Sequence, residues 1–249
     1  MTRSLSDRQI EQYSRQIILR ELGGTGQQRL FGARSLVIGN GLAHETAVKY
    51  LAAAGVGTID CWPLAAVGEP DAGRDALRFA PEGAGPDVVV RDLDRTADPG
   101  LTTRGTPLAL DAYDVVIEVL AADARPQVST LGRPRLGSIA LTRDSQGLLL
   151  LIAGRTARVC PACARTSSAQ GSVAPVPHRA DATELALAGS MLALAALRFL
   201  AGIAADEAAR ALRLDHHAAT WREVAIERLP APCPRGCPAP DQPIATSDA

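Results

Sequence analysis

Apolar positions along the chain change spacing several times, and each change predicts an element. Ile10, Tyr13, Ile17 and Leu22 lie on one helical stripe, and the glycines of "LGGTG" predict where that helix ends. "SLVIGN" is a continuous apolar run of the kind that makes a buried strand. "HETAVKYLAAAG" follows as a helix closed by Gly55, and "GTIDCW" as a second strand, so the three make one βαβ unit. "DVVVRDL" and "YDVVIEVL" read as parallel strands covered on both faces, while "GSIALTR" and "GLLLLIAG" read as later strands joined through "DSQG". Leu185 to Ile203 is long enough to suggest a membrane span, but Arg198, the many alanines and the lack of flanking anchors favour a core helix. "TWREVAIERL" alternates as one strand. Beyond Pro230 proline, small polar and acidic residues take over, and residues 238–249 are expected to be a disordered tail.

This order predicts an α/β fold: a Rossmann-like, mostly parallel sheet with flanking helices, in a single domain over residues 1–237. Its parts are an N-terminal helix at 6–22, a nucleotide-binding-like core at 33–160, and a C-terminal helix, strand and clamp at 160–237. A formal net charge of -1 over 249 residues gives no field to draw the chain to nucleic acid, and the basic residues are scattered arginines. Lysine occurs only at Lys49, so a function that needs a mobile lysine has one candidate. The polar start "MTRSLSDRQIEQYSRQ" lacks the apolar stretch of a signal peptide, and a cytoplasmic location is expected.

Candidate chemistry begins at the turn after the first strand. A phosphate-binding βα turn uses glycine for a tight bend, for close approach to phosphate and for close helix–strand packing. Gly39 and Gly41 can serve the first two needs. His44 stands at the third position, where its side chain would crowd either the strand or the phosphates. Nucleotide binding and a plain turn requiring positive φ are equally compatible with this stretch. The second strand should then end in a carboxylate for the ribose hydroxyls, but Pro63 and Ala65 stand there, and Asp60 lies inside the strand.

Two close cysteine pairs follow, Cys160 with Cys163 and Cys233 with Cys237. Each pair can hold one side of a metal ion, and four thiolates in a tetrahedron are a preferred ligand set for structural zinc. A reducing compartment disfavours a disulfide, and a redox Cys-x-x-Cys needs only one pair. A closed four-cysteine site leaves no position for substrate, so the metal would clamp the C-terminal segment to the body. Cys61 lies within a strand and reads as core.

Taken together, "YSRQIIL", "GQQRLFGARSLVIGNG", "YLAAAGVGTI", the first cysteine pair, "WREVAIERL" and the second cysteine pair resemble the MoeB/ThiF/HesA family, the bacterial relatives of ubiquitin-activating enzymes. The stretches occur in the family's order over nearly the whole chain. The resemblance implies a homodimer or heterodimer, a structural zinc, and ATP-dependent adenylylation of the C-terminal glycine of a ubiquitin-like or sulfur-carrier protein.

Departures from the family pattern fall on the catalytic parts. "PLAAVGEPDAGRDALRF" runs almost directly into what resembles the next helix, without the segment that carries the family's Asn, Arg and phosphate-binding lysine. Lys49 matches a position inside the helix after the glycine turn and does not replace that lysine. The family's magnesium-holding Asp matches Ala121, with Asp123 nearby but displaced. Nucleotidyl transfer depends largely on positioning and cation stabilisation, so these losses make ATP and magnesium binding doubtful. Arg15 in "YSRQ" matches the family arginine that reaches across a dimer into the partner's ATP site; the alternative is a solvated surface arginine.

Three functions remain. In the first, the chain is a non-catalytic partner subunit or carrier-binding scaffold that supplies Arg15 and a docking surface. In the second, it is an active adenylyltransferase with a rebuilt pocket, using Gly39 and Gly41 at the phosphates and Asp123 or Glu118 near the metal. A peptide-binding scaffold is the third, although the chain lacks the extra N-terminal module such a clamp would be expected to add. No cysteine outside the two pairs suits thioester transfer. His178, His216 and His217 read as solvated loop or turn residues.

Overall fold

The computed structural model describes residues 5–62, 85, 87–93, 108–119, 130–144, 147–166, 181–204, 208–215, 218, 220–228 and 233. In chain order the elements are α1 (Asp7–Ile17), α2 (Gly23–Gly32), β1 (Arg34–Ile38), α3 (Gly41–Ala53), β2 (Thr58–Trp62), β3 (Val89–Asp92), β4 (Leu108–Ala109), β5 (Val115–Val119), β6 (Thr130–Leu131), β7 (Gly137–Asp144), β8 (Gly147–Gly154), β9 (Ala164–Thr166), α4 (Ala182–Leu200), β10 (Arg210–Asp215), β11 (Thr220–Val224) and β12 (Ile226–Arg228).

Eight strands form the main sheet in the order β11-β10-β8-β7-β5-β1-β2-β3. From β3 to β7 every neighbouring pair is parallel; β7, β8, β10 and β11 then continue antiparallel. The expected mostly parallel Rossmann-like sheet is present, with an antiparallel extension. Strand alternation sorts the side chains between faces. Val37, Ile59, Ile117 and Ile139 meet α3 and α4 in the largest core cluster, while Leu36, Ile38, Trp62 and Val116 point to the other face with Leu93, Leu110 and Tyr113.

α4 is long and apolar enough to cross a membrane by length and composition. Its inner side, including Ala188, Leu192, Ala196 and Phe199, is nevertheless buried in the core, in keeping with the core-helix expectation. α3 and α4 pack closely because Gly189 has no side chain: a Cβ there would stand 2.5 Å from the Ala43 carbonyl oxygen.

Two expectations need correction. The glycines after Leu22 separate two helices rather than ending one helical segment, since α2 begins at Gly23 and buries Gln27 and Leu30. Gln27 donates to the Ala54 carbonyl at 3.0 Å, so tertiary contacts favour helix where glycine content argued against it. "TWREVAIERL" is likewise two strands. β11 closes the edge of the main sheet, and after Ala225 the chain crosses to pair β12 with β9. The expected tail at 238–249 lies outside the described residues.

α1 is fixed by a capping box between Ser6 and Gln9 and by Tyr13, whose ring meets Phe31 edge-on at 5.1 Å.

Candidate functional site

Strand order reverses at β1, with β2 on one side and β5 on the other. Open α/β sheets bind ligands in the crevice above the carboxyl ends of the strands at such a point. Gly39 lies directly on it. Its N–H donates to the Trp62 carbonyl at 3.0 Å, its φ is 134°, and a Cβ would stand 2.5 Å from the Val119 carbonyl oxygen. Gly41, with φ 79°, opens α3, and no atom lies within 4 Å of where its Cβ would be. The turn therefore has one glycine required by close backbone approach and a second beside open space.

His44 is buried beneath the first turns of α3, where it bonds the backbone of Val37 while its Nε2 lacks a hydrogen-bond partner. Of the two crowding possibilities, the strand is the one realised. Burial lowers its pKa to about 4, only partly opposed by the Val37 bond, so the imidazole is neutral at ordinary pH.

Glu118, next to last on β5, is buried opposite Ile38 in the ladder. Asp123 and the segment expected to border the pocket lie outside the described residues, as do His178, His216 and His217. Lys49 is exposed on α3, and Arg15 is exposed on α1, close in sequence to the exposed Ile18 and Leu19.

Asp60 forms a charged cluster that sequence reasoning missed. Its fully buried carboxylate receives Arg34 Nε and Nη2 at 3.1 and 2.8 Å, and Arg91 Nε and Nη2 at 2.7 and 2.9 Å. Burial alone would raise this carboxyl, but bonds and charges from Arg91 and Arg34 hold it below the usual carboxylate range. The Arg34 guanidinium lies 4.6 Å from the Tyr113 ring centroid, and burial together with the Asp60 charge pushes the Tyr113 hydroxyl up to about 12. Arg34, Asp60 and Arg91 sit on adjacent strands far apart in sequence. The signal available beforehand was a lone acid in an apolar strand, and only strand order could supply its partners.

A second grouping lies on the opposite side of the antiparallel extension. The β9–β12 ribbon carries Ala164 and Ile226 onto Ala140, Leu149, Leu151 and Ala211. Pairing Arg228 with Ala164 brings the end of β12 back beside the first cysteine pair. Cys160 and Cys163 Sγ atoms are 3.8 Å apart and those of Cys160 and Cys233 3.6 Å, with all three within 4.8 Å of one another. Zinc–sulfur bonds of about 2.3 Å in a tetrahedron put neighbouring sulfurs ~3.8 Å apart, so these three thiols have the spacing of a metal site. They could hold a metal ion. Cys237 lies outside the described residues, and buried Cys61 belongs to the core.

The fold and these two sites together define a class: a doubly wound α/β protein with a glycine turn at its switch point and, on its antiparallel extension, three clustered thiols that could hold a metal ion. No protein-family model matches the chain. It is 28% identical to the sulfur carrier protein ThiS adenylyltransferase of Escherichia coli, over 94% of this chain and 96% of that protein. It is 26% identical to the molybdopterin-synthase adenylyltransferase of Salmonella typhimurium, over 91% and 96%. Among solved structures, Escherichia coli MccB shares the fold, with a TM-score of 0.52 and 12% identity over 95% of this chain and 75% of that one. Over nearly its whole length, then, the chain is similar to adenylyltransferases of the MoeB/ThiF type.

Proposed function

We propose that this protein is a cytoplasmic partner subunit or carrier-binding scaffold of the ubiquitin-like modifier and sulfur-carrier activating superfamily, with a degenerate ATP site of its own. The observation that carries the reading is the position of the β2 carboxylate. Asp60 is buried between two arginines and β2 ends at Trp62, followed by Pro63, so this strand leaves no carboxylate for a ribose. Gly39 and Gly41 are retained as turn residues, Asp123 replaces the family's magnesium ligand poorly, and Lys49 is on the wrong element. The partner surface includes Arg15, which acts in trans on a complete relative's phosphates in a heterodimer, or across a homodimer. Its exposure beside Ile18 and Leu19 supports that role. Cys160, Cys163, Cys233 and Cys237 hold one structural zinc that clamps the C-terminal segment.

A second reading is an active adenylyltransferase acting on the C-terminus of a ubiquitin-like carrier or peptide. Similarity to adenylyltransferases over almost their full length favours it. Calorimetry of ATP with magnesium separates the two. Degeneracy predicts a dissociation constant above about 1 mM, or less than about 4 kcal/mol of binding. Micromolar affinity, together with pyrophosphate exchange in the presence of a carrier, would establish the second reading.

A further inference from the structure

The three clustered thiols differ in what holds them and in what can reach them. Cys163 Sγ accepts the Cys160 N–H at 3.4 Å, and the Cys163 N–H donates to the Cys160 carbonyl at 3.0 Å, so one backbone turn positions both sulfurs. Both residues are buried. Cys233 enters from the segment after β12, 73 positions further on, is half-buried, and brings its sulfur to 3.6 Å from Cys160 Sγ. Oxidants select thiols by access, so Cys233 is the one they meet first.

We propose that Cys233 is a peroxide-oxidised thiol resolved by Cys160, and that the resulting disulfide takes over from the metal in clamping the C-terminal segment. The Cys233 sulfur attacks one peroxide oxygen: an S–O bond forms, the O–O bond breaks, and the departing oxygen leaves as water with the thiol proton. The Cys160 sulfur then attacks the Cys233 sulfur, the S–O bond breaks, and a second water leaves. Two thiols lose two electrons and one peroxide becomes two waters. Cys160 resolves rather than Cys163, because a sulfur that accepts an N–H is the poorer nucleophile. A bond of about 2.05 Å requires the pair to close from 3.6 Å, and the half-buried Cys233 moves more easily than a thiol fixed in the turn. In a reducing compartment such a bond is transient, which suits a sensor. Both thiols are also proposed zinc ligands, so the bond forms as the metal leaves. The state of the ATP site does not enter.

Hydrogen peroxide added to the purified full chain tests it, followed by iodoacetamide and tryptic mapping without reductant. Trypsin puts Cys160 and Cys163 on Val159–Arg165 and Cys233 on Leu229–Arg235, apart from Cys237. The expected product joins these two peptides through Cys160 and Cys233, with Cys163 alkylated, and dithiothreitol reverses it. Cys163→Ser still forms the link and Cys160→Ser does not, with circular dichroism confirming that each is folded. Amide exchange at Ile226 to Arg228 stays as slow in the oxidised, metal-free chain as before oxidation, whereas the reduced, chelator-stripped chain exchanges at least tenfold faster. A bond within Val159–Arg165, a link through Cys163 or Cys237, sulfinic acid at Cys233 as the main product, or thiols all left alkylatable would each overturn the proposal. So would ribbon exchange as fast after oxidation as after stripping. Zinc measured before peroxide reads the metal separately: a link in zinc-free protein sinks only the zinc site, and zinc without a link sinks only the disulfide.

Discussion

Arg91 on β3 donates its Nε to Asp60 on β2 at 2.7 Å, closing a cluster that Arg34 enters from β1. Three neighbouring strands are joined through one carboxylate that has no exposed surface. Removing one partner of a buried pair is costly because the remaining charge stays desolvated. Here both arginines reach solvent, which reduces that cost. Asp60→Asn is expected to lower stability by about 1.5–3 kcal/mol, the range for bonds to charged groups. Urea unfolding measures it, and a loss below about 0.5 kcal/mol, the range of an ordinary surface change, would remove the cluster from the determinants of the fold.

The two turn glycines separate backbone strain from steric contact. Gly39→Ala meets both a φ of 134° and the Val119 carbonyl oxygen at 2.5 Å, which the strand cannot move without breaking the β1–β5 ladder. Gly41→Ala meets only a φ of 79°, with nothing within 4 Å. The second change should cost about 1 kcal/mol and the first more than about 3 kcal/mol, strain and overlap together. Equal losses by denaturant unfolding would mean that the approach of the turn to β5 is not a constraint.

Much of this architecture is readable from residue pattern. β1, β5, β7 and β8 follow from nearly continuous apolar runs, because strands covered on both faces have little choice of composition, while α3 follows from the helical stretch closed by Gly55 and β2 from its β-branched residues. Cysteine spacing likewise indicates which thiols meet across some seventy residues, since Cys160 and Cys233 come together at 3.6 Å. α2 is not readable, because Gly23, Gly24 and Gly26 disfavour helix locally and only the burial of Gln27 and Leu30 outweighs them. Nor is the break at Ala225: alternation continues through it, and the change of sheet depends on β9 being near. The Asp60 cluster depends on strand order, which no local window contains.

His44 should make stability pH-dependent in a defined window. Its pKa is about 4 in the folded chain and about 6.5 when unfolded, so between these values the unfolded state binds more protons. Stability is therefore complete above pH ~6.5, falls as pH drops, and loses about 3 kcal/mol from this group by pH ~4. Asp60, with its lowered pKa, loses its contribution further into acid. His44→Leu should flatten the dependence between pH ~6.5 and ~4 in denaturant titrations. A slope identical to wild type would assign that proton to another group.

Metal at the cysteines has a sharper test than its presence alone. Protein purified without chelator should carry about one zinc per chain, and Cys233→Ser should hold it more weakly, because the site loses the thiolate 3.6 Å from Cys160 Sγ. Cys237→Ser examines the fourth ligand. If Cys237 closes the site, its loss leaves Cys160, Cys163 and Cys233 with an open position that water fills, so zinc stays bound more weakly and is released to a colorimetric chelator faster than from wild type. The β9–β12 ribbon, which packs on the sheet through Ala164 and Ile226, should then open first, seen as faster amide exchange at Ile226 to Arg228 while β1 and β5 stay protected. Zinc retention and exchange rates unchanged in Cys237→Ser would exclude Cys237 as a ligand and leave a three-cysteine site. No zinc in the wild-type protein would reduce the three thiols to a packed cluster.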